Sequence, residues 1–401
     1  MTDDDMAGAT DGPVFHVEPR GRLGSRLIQY MAALKLQSLV PGCRIANVVL
    51  PEWGIDHPPI ESPGPVEFAS EHQFVDIAGL AERIRAGKIC RVAYTGFGRR
   101  MENFLAADAC REAIHTPEVM PARFDERHLI CPIRVAAVPD AEDPDHPLMP
   151  VEFYADIVEE TGLTPVFIGQ TTPDLYTNRL RARFPQALFL DRGDSILDFA
   201  TIRQAKNIVV GVSIFTWLAA WLSHADRIFM AVTGMFNPMQ CRSVDLLPFG
   251  DIRYRFYLFP INYAVLLEHH ATAHRRIAPF WRQVPHEVLR RRLREAPRFD
   301  PSEEAILADF DPAFYLGFYG DVAKLVGADN AEGARAHYMR VGMRERRLPF
   351  RLAPAWYAAR YPMAAFEVAQ GDYSDFARHY IAVGRARGYR PLPDDGEPWW
   401  D

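Results

Sequence analysis

Three short segments carry residue types that can hold a phosphate. Gly21-Arg22-Leu23-Gly24-Ser25, followed by Arg26, joins a strand-like run, Val14 to Val17, to a run with a helical apolar pattern. Glycines at such a junction let a ligand approach backbone N–H groups, and the positive end of the helix dipole favours an anion. A tight turn with no ligand uses the same residues. Ser213 and Thr216 flank the start of a helix after a buried strand, where hydroxyls cap the helix and can meet a phosphate. Gly169-Gln170-Thr171-Thr172 follows another strand, and in parallel sheets ligands sit beyond the carboxyl ends of the strands. Helix capping is the plainer role for Thr171 or Thr172. His270 and His274, four apart, fit one helix face, but no third ligand accompanies them at metal-site spacing.

The rest of the chain must supply a framework for these loops. At 401 residues it is long enough for two or three domains. With 48% hydrophobic and 24% charged residues it can bury a sizeable core, which excludes global disorder. There is no long uncharged apolar run, and the acidic start MTDDDMAGATDGP is unlike a secretory leader, so a cytoplasmic location is expected. The five cysteines form no C-x-x-C pair, against both a zinc site and a disulfide framework, and a net charge of -7 gives no reason to bind nucleic acid.

Strands and helices alternate. After a disordered tail over 1–13, strand-like runs at Val14 to Val17, Ile45 to Leu50 and Ile89 to Tyr94 alternate with helical runs at Arg26 to Ser38, Val75 to Ala86 and Asn103 to Ile114. The pattern resumes at His128 and continues through Val151 to Thr161, Thr164 to Ile168, Tyr176 to Phe184, Ala187 to Leu190, Ser195 to Gln204, Asn207 to Val212, Thr216 to Ser223 and Arg227 to Ala231. This predicts an α/β fold of two Rossmann-like, doubly wound domains, 14–127 and 128–260, with the ligand in a cleft between them. Trp217 and Trp221, four apart, are expected to pack their helix on the sheet.

Two further segments follow. Residues 261–298 read as a basic helical linker, with eight arginines against two glutamates from Arg275 to Arg298. Contact with an anionic membrane face is the alternative to a solvated helix. Residues 299–393 contain an internal repeat. Pro312, Tyr315, Tyr319, His337, Tyr338, Gly342 and Pro349 recur 42 positions later as Pro354, Tyr357, Tyr361, His379, Tyr380, Gly384 and Pro391. Two stacked helical units with aromatic cores are predicted. The layout resembles the tandem FDP-x-x-YL … HY-x-x-x-G modules appended to bacterial polysaccharide glycosyltransferases.

Four segments, in order, resemble the α1,2-fucosyltransferases. The stretch from Gly21 to Tyr30 is similar to their G-x-L-G-N-Q-x-F-Q-Y opening, and Gly211-Val-Ser213-Ile214-Phe215-Thr216-Trp-Leu-Ala-Ala-Trp-Leu222 to their N-S-S-F-S-W-W-A-A-W-L segment. Thr95 to Phe104 resembles G-Y-x-Q-x-x-x-Y-F, and Asp198 to Ile208 the segment leading into the serine motif. The likeness covers roughly residues 14 to 260. It implies a GT-B glycosyltransferase with no cofactor and no metal, whose co-substrate is a nucleotide sugar, first of all GDP-fucose. The acceptor would be a hydroxyl of a bacterial glycan or glycoconjugate, held on the first domain by Gly21 to Arg26. Gly169, Gln170, Thr171, Asp198 and Ser213 to Thr216 would hold the donor.

The departures matter. The family's H-x-R-R-x-D nucleotide motif is here Pro132-Ile-Arg134-Val135, so only its first arginine remains, and Ser25 and Arg26 replace Asn and Gln. Arg134 would fork to the leaving diphosphate without a metal. A structural arginine is the other role. Inverting transfer also needs a base for the acceptor proton. Asp140 and Asp143 of the acidic loop Asp140 to Asp145, His16 and Glu52 are candidates among which the sequence does not choose. The loop's Asp-Pro-Asp matches the D-x-D of metal-dependent transferases, but in the wrong fold class. A degraded nucleotide motif also fits a non-catalytic glycan- or protein-binding scaffold.

Overall fold

The computed structural model describes residues 12–61, 64–69, 73–115, 119–133, 146–190, 194–238, 240–241, 243–259, 281–294, 299–343, 345–370 and 372–393. The expected tail, most of the basic linker, His270 and His274 lie outside these residues. The chain divides into two compact units, Met1–Val119 and Met120–Asp401.

The first unit is built on a four-stranded sheet of β1 (Val14–Val17), β2 (Arg44–Ala46), β5 (Val66–Ala69) and β6 (Arg91–Tyr94). Its order is β2-β1-β6-β5, with every pair parallel. All four residues of β1 are buried, which is why it reads as a continuous rather than an alternating apolar run. Helices α1 (Leu23–Leu39), α2 (Ile77–Arg85) and α3 (Ala107–Ala113) complete the unit. The single strand expected over Ile45 to Leu50 is two. Asn47 takes φ 61° and donates from Nδ2 to the Val17 carbonyl at 2.8 Å. That turn sends β3 (Val48–Leu50) away to pair antiparallel with β4 (Ile55–His57). The helix expected from Asn103 is a short 3₁₀ turn, Met101–Asn103, followed by α3.

The second unit opens with a seven-stranded sheet. Its parallel strands are β7 (His128–Ile133), β8 (Thr164–Gly169), β9 (Leu188–Leu190), β10 (Asn207–Val210), β11 (Arg227–Val232) and β12 (Tyr254–Leu258); β13 (Arg282–Val284) runs antiparallel on the edge. The order is β13-β12-β11-β10-β7-β8-β9, so the winding reverses between β7 and β10. This is the doubly wound arrangement, in which the crevice outside the carboxyl ends at the reversal is the ligand-binding position. Helices α4 (Val151–Thr161), α5 (Leu175–Arg183), α6 (Ser195–Gln204) and α7 (Ile214–Trp221) are the crossovers. Trp217 and Trp221 are buried with their rings stacked at 5.5 Å, and the Trp217 indole N–H donates to the Leu246 carbonyl at 2.7 Å.

After α8 (His286–Arg294) and α9 (Glu303–Ala308), the repeat forms two copies of one unit. The first has α10 (Pro312–Phe318), α11 (Gly320–Val326) and α12 (Ala331–His337), the second α13 (Pro354–Arg360), α14 (Pro362–Gln370) and α15 (Phe376–His379). Each ends in a five-residue π-helix, Tyr338–Gly342 and Tyr380–Gly384. The same contacts recur 42 residues apart. Tyr315 Oη meets His337 Nδ1 at 3.1 Å, and Tyr357 Oη meets His379 Nδ1 at 3.0 Å. The Tyr319 hydroxyl accepts from the Leu348 amide, and that of Tyr361 from the Arg390 amide. A Cβ on Gly342 would overlap the Tyr315 hydroxyl, and one on Gly384 that of Tyr357. What differs is the cover: the Arg347 guanidinium lies 4.9 Å over the Tyr319 ring, whereas Tyr389 stacks on Tyr361 at 4.0 Å.

Candidate functional site

The carboxyl edge of the second unit's sheet gathers most of the expected donor residues. Gly169 ends β8 with φ +94°, and a Cβ there would stand 2.7 Å from the Ile133 carbonyl oxygen. Only glycine lets this strand end close against β7. The exposed Gln170 donates its amide to the same carbonyl at 3.0 Å. Thr171 is buried, and its carbonyl accepts from Arg181 Nη2 at 3.0 Å, with that guanidinium 4.0 Å over the Phe189 ring. Its hydroxyl has no hydrogen-bond partner among the described residues. It is not a helix cap: Asp174 caps α5, accepting from the Thr177 amide at 2.7 Å.

At the end of β10, Gly211 and Val212 lead to Ser213, the N-cap of α7, whose Oγ accepts from the Thr216 amide at 3.3 Å. Ile214 and Thr216 are buried, and the Phe215 ring meets Phe199 at 5.2 Å. Asp198 stands half-buried in the first turn of α6, a helix capped by Asp194. The sequence reading passed over Thr233, fully buried just beyond β11 and also lacking a hydroxyl partner. Its signal is a lone threonine ending an apolar strand. Arg134, Asp140 and Asp143 lie outside the described residues.

In the first unit, the carboxyl ends of β1 and β6 are locked together by Gln29, which is fully buried on α1. Its Oε1 accepts from the Arg20 amide at 3.0 Å, while Nε2 donates to the Glu18 carbonyl at 3.0 Å and the Gly96 carbonyl at 2.9 Å. Over this lock, Gly21 turns with φ +71° and Arg22 is the extended N-cap of α1. Leu23 and the buried Gly24 begin the helix. Ser25 Oγ accepts from Arg99 Nη2 at 3.1 Å, and Arg26 Nη2 donates to the Val49 carbonyl at 2.6 Å. Of the candidate bases, Glu52 is exposed on the turn Pro51–Trp53. His16 lies within β1, with Nε2 3.3 Å from Glu18 and Nδ1 without a hydrogen-bond partner among the described residues. Burial holds its imidazole below the ordinary range, partly offset by Glu18. A neutral imidazole is what proton abstraction requires.

No family model matches the chain, and no curated protein does. Among solved structures, the bacterial iron-containing dodecameric glycosyltransferase TibC from enterotoxigenic E. coli H10407 is similar at a TM-score of 0.30 and 13% identity, over 55% of this chain and 58% of that one. The chain thus spans less than two thirds of that structure. The fold class is α/β, with parallel sheets in both units.

Proposed function

We propose that the chain is a GT-B glycosyltransferase that moves a sugar from a nucleoside diphosphate donor, with GDP-fucose the first candidate, to a hydroxyl of a bacterial glycan or glycoconjugate, with inversion and without a metal. One observation carries this reading. The segment from Gly211 to Leu222, which resembles the serine segment of the α1,2-fucosyltransferases, leaves β10 at the point where the winding of the second sheet reverses, and Arg134 directly follows β7, the strand beside it. In the reaction, the acceptor oxygen bonds to the anomeric carbon as the bond from that carbon to the phosphate oxygen breaks. The electron pair leaves with the diphosphate, which Arg134 and the N–H groups opening α7 stabilise. The acceptor proton passes to a base, for which the buried, neutral His16 is the best supported of the candidates.

Thermal shifts of the full chain with GDP and UDP test the reading, because a ligand that binds only the folded state raises its melting temperature. A GDP-only shift supports the fucosyl donor, a UDP-only shift a different sugar. The absence of any shift at millimolar ligand would favour the scaffold. Arg134→Ala should then cost on the order of 3 kcal/mol of transition-state stabilisation, read from kcat/KM, with the melting temperature unchanged.

A further inference from the structure

We propose that Glu18 is a further catalytic residue, whose carboxylate takes the proton from the acceptor hydroxyl and hands it to His16. This rests on the glycosyltransferase reading and deepens it by naming the group that touches the acceptor. Glu18 is the first residue beyond β1, one of the two interior strands of the first unit's sheet, at the carboxyl edge where parallel sheets receive ligands. Its backbone is held from both sides. The Glu18 amide donates to the Tyr94 carbonyl of β6 at 2.8 Å, and the Glu18 carbonyl accepts from Nε2 of the buried Gln29 at 3.0 Å. Gln29 also holds the Arg20 amide and the Gly96 carbonyl, so the carboxylate leaves a fixed backbone at the start of the loop that leads to Gly21.

The two side chains divide the work of a base. That of Glu18 is 50% exposed and that of His16 11%, with the carboxylate 3.3 Å from His16 Nε2. His16 Nδ1 is shut off from solvent, so Nε2, the nitrogen that faces the carboxylate, is the one that exchanges protons. An imidazole set behind a half-exposed carboxylate is reached through it. Imidazole is by nature the stronger base of the two groups, which gives a proton on the carboxylate a place to go. As the acceptor oxygen bonds to the anomeric carbon, its proton passes to a Glu18 oxygen and on to the Nε2 lone pair. The carboxylate is restored and an imidazolium is formed. Burial and Arg91 oppose that imidazolium and Glu18 favours it, so the restored carboxylate is what keeps the charge in place.

The test uses the full chain, with GDP-fucose and UDP-glucose as donors and release of the nucleoside diphosphate as the readout. Water then takes the place of the acceptor hydroxyl and must lose the same proton. Glu18→Gln keeps the size of the side chain and removes the base, so turnover should fall about 10²- to 10⁴-fold, with donor KM and melting temperature unchanged. Because both residues act on one proton, adding His16→Gln should cost little more. Formate should restore turnover to Glu18→Ala, a rescue that a merely structural role would not allow. Full turnover in Glu18→Gln overturns the proposal while the transferase reading stands. Losses that multiply in the double variant overturn it too, because the residues would then act separately, and so does a raised donor KM in Glu18→Gln. A wild type that releases neither diphosphate sinks the transferase reading and the role of Glu18 with it.

Discussion

His16 stands in an environment that decides its protonation. Desolvation dominates and Glu18 offsets only part of it, so the folded-state pKa lies below the ordinary 6.5. A base must be neutral to accept a proton, and this one stays neutral to lower pH than a free imidazole. The acid limb of the kcat/KM profile should therefore fall below pH 6.5, and His16→Gln should remove that limb and about 10²- to 10⁴-fold of the rate. A limb near pH 4 that survives the substitution would move the role to a carboxylate. Gly21 to Ser25 was legible at this scale because a glycine loop between a strand and a helix has a local signature. Gln29 was not. Its partners are carbonyls 11 and 67 residues away, and nothing in the run from Leu27 to Leu34 distinguishes an interior glutamine that bridges two loops from one facing water. Tyr94 likewise reads as one more apolar strand residue.

Among the elements, the repeat shows why some structure is legible and some is not. Each copy closes on a tyrosine hydroxyl that touches both a histidine and a glycine, so the three residue types must recur at the same spacing. Strand β12, with its Tyr-Arg-Phe-Tyr-Leu sequence, and the polar edge strand β13 lack bounding signals of that kind, and the β3–β4 hairpin turns on one left-handed asparagine. The glycine contact is testable. Gly384→Ala should destabilise the protein by about 1–3 kcal/mol through overpacking, measured by chemical denaturation, and adding Tyr357→Phe should restore part of the loss, since the hydroxyl is what the methyl meets. A second test is pH. His379 is fully buried with Nδ1 on Tyr357 and Nε2 2.9 Å from Glu367, on which Arg387 forks at 2.8 and 2.9 Å. Desolvation sets its pKa below 6.5, with Glu367 raising it and Arg387 lowering it. The unfolded chain then binds the proton more readily, so stability is complete above pH 6.5 and is lost as pH falls through the folded-state value. Melting from pH 7.5 to 5 should show this decline, and His379→Gln should flatten it.

In the whole molecule, the segments proposed to bind the nucleotide and the repeat belong to different stretches of chain. The copies hold no glycine-rich phosphate loop and no paired acids, so a chain ending at Arg294 should keep its nucleoside diphosphate affinity while losing kcat/KM on a large native acceptor. Loss of nucleotide affinity in that shortened chain, with its fold intact, would make the module part of the active site.

The stitching of the repeat has a mechanical consequence. The Phe299 amide bonds the Asp372 carbonyl at 2.9 Å, and Asp300 takes both the amide and the hydroxyl of Ser374, so the first residues of the module are fastened to its second copy rather than its first. The copies are also tied by Arg378 to the Met343 carbonyl and by Arg385 to Asp309. A pull applied through the preceding chain therefore loads the far copy first, through several bonds at once. If the module grips a glycan anchored at a surface, it is fastened to bear tension, and single-molecule extension should show both copies yielding in one step.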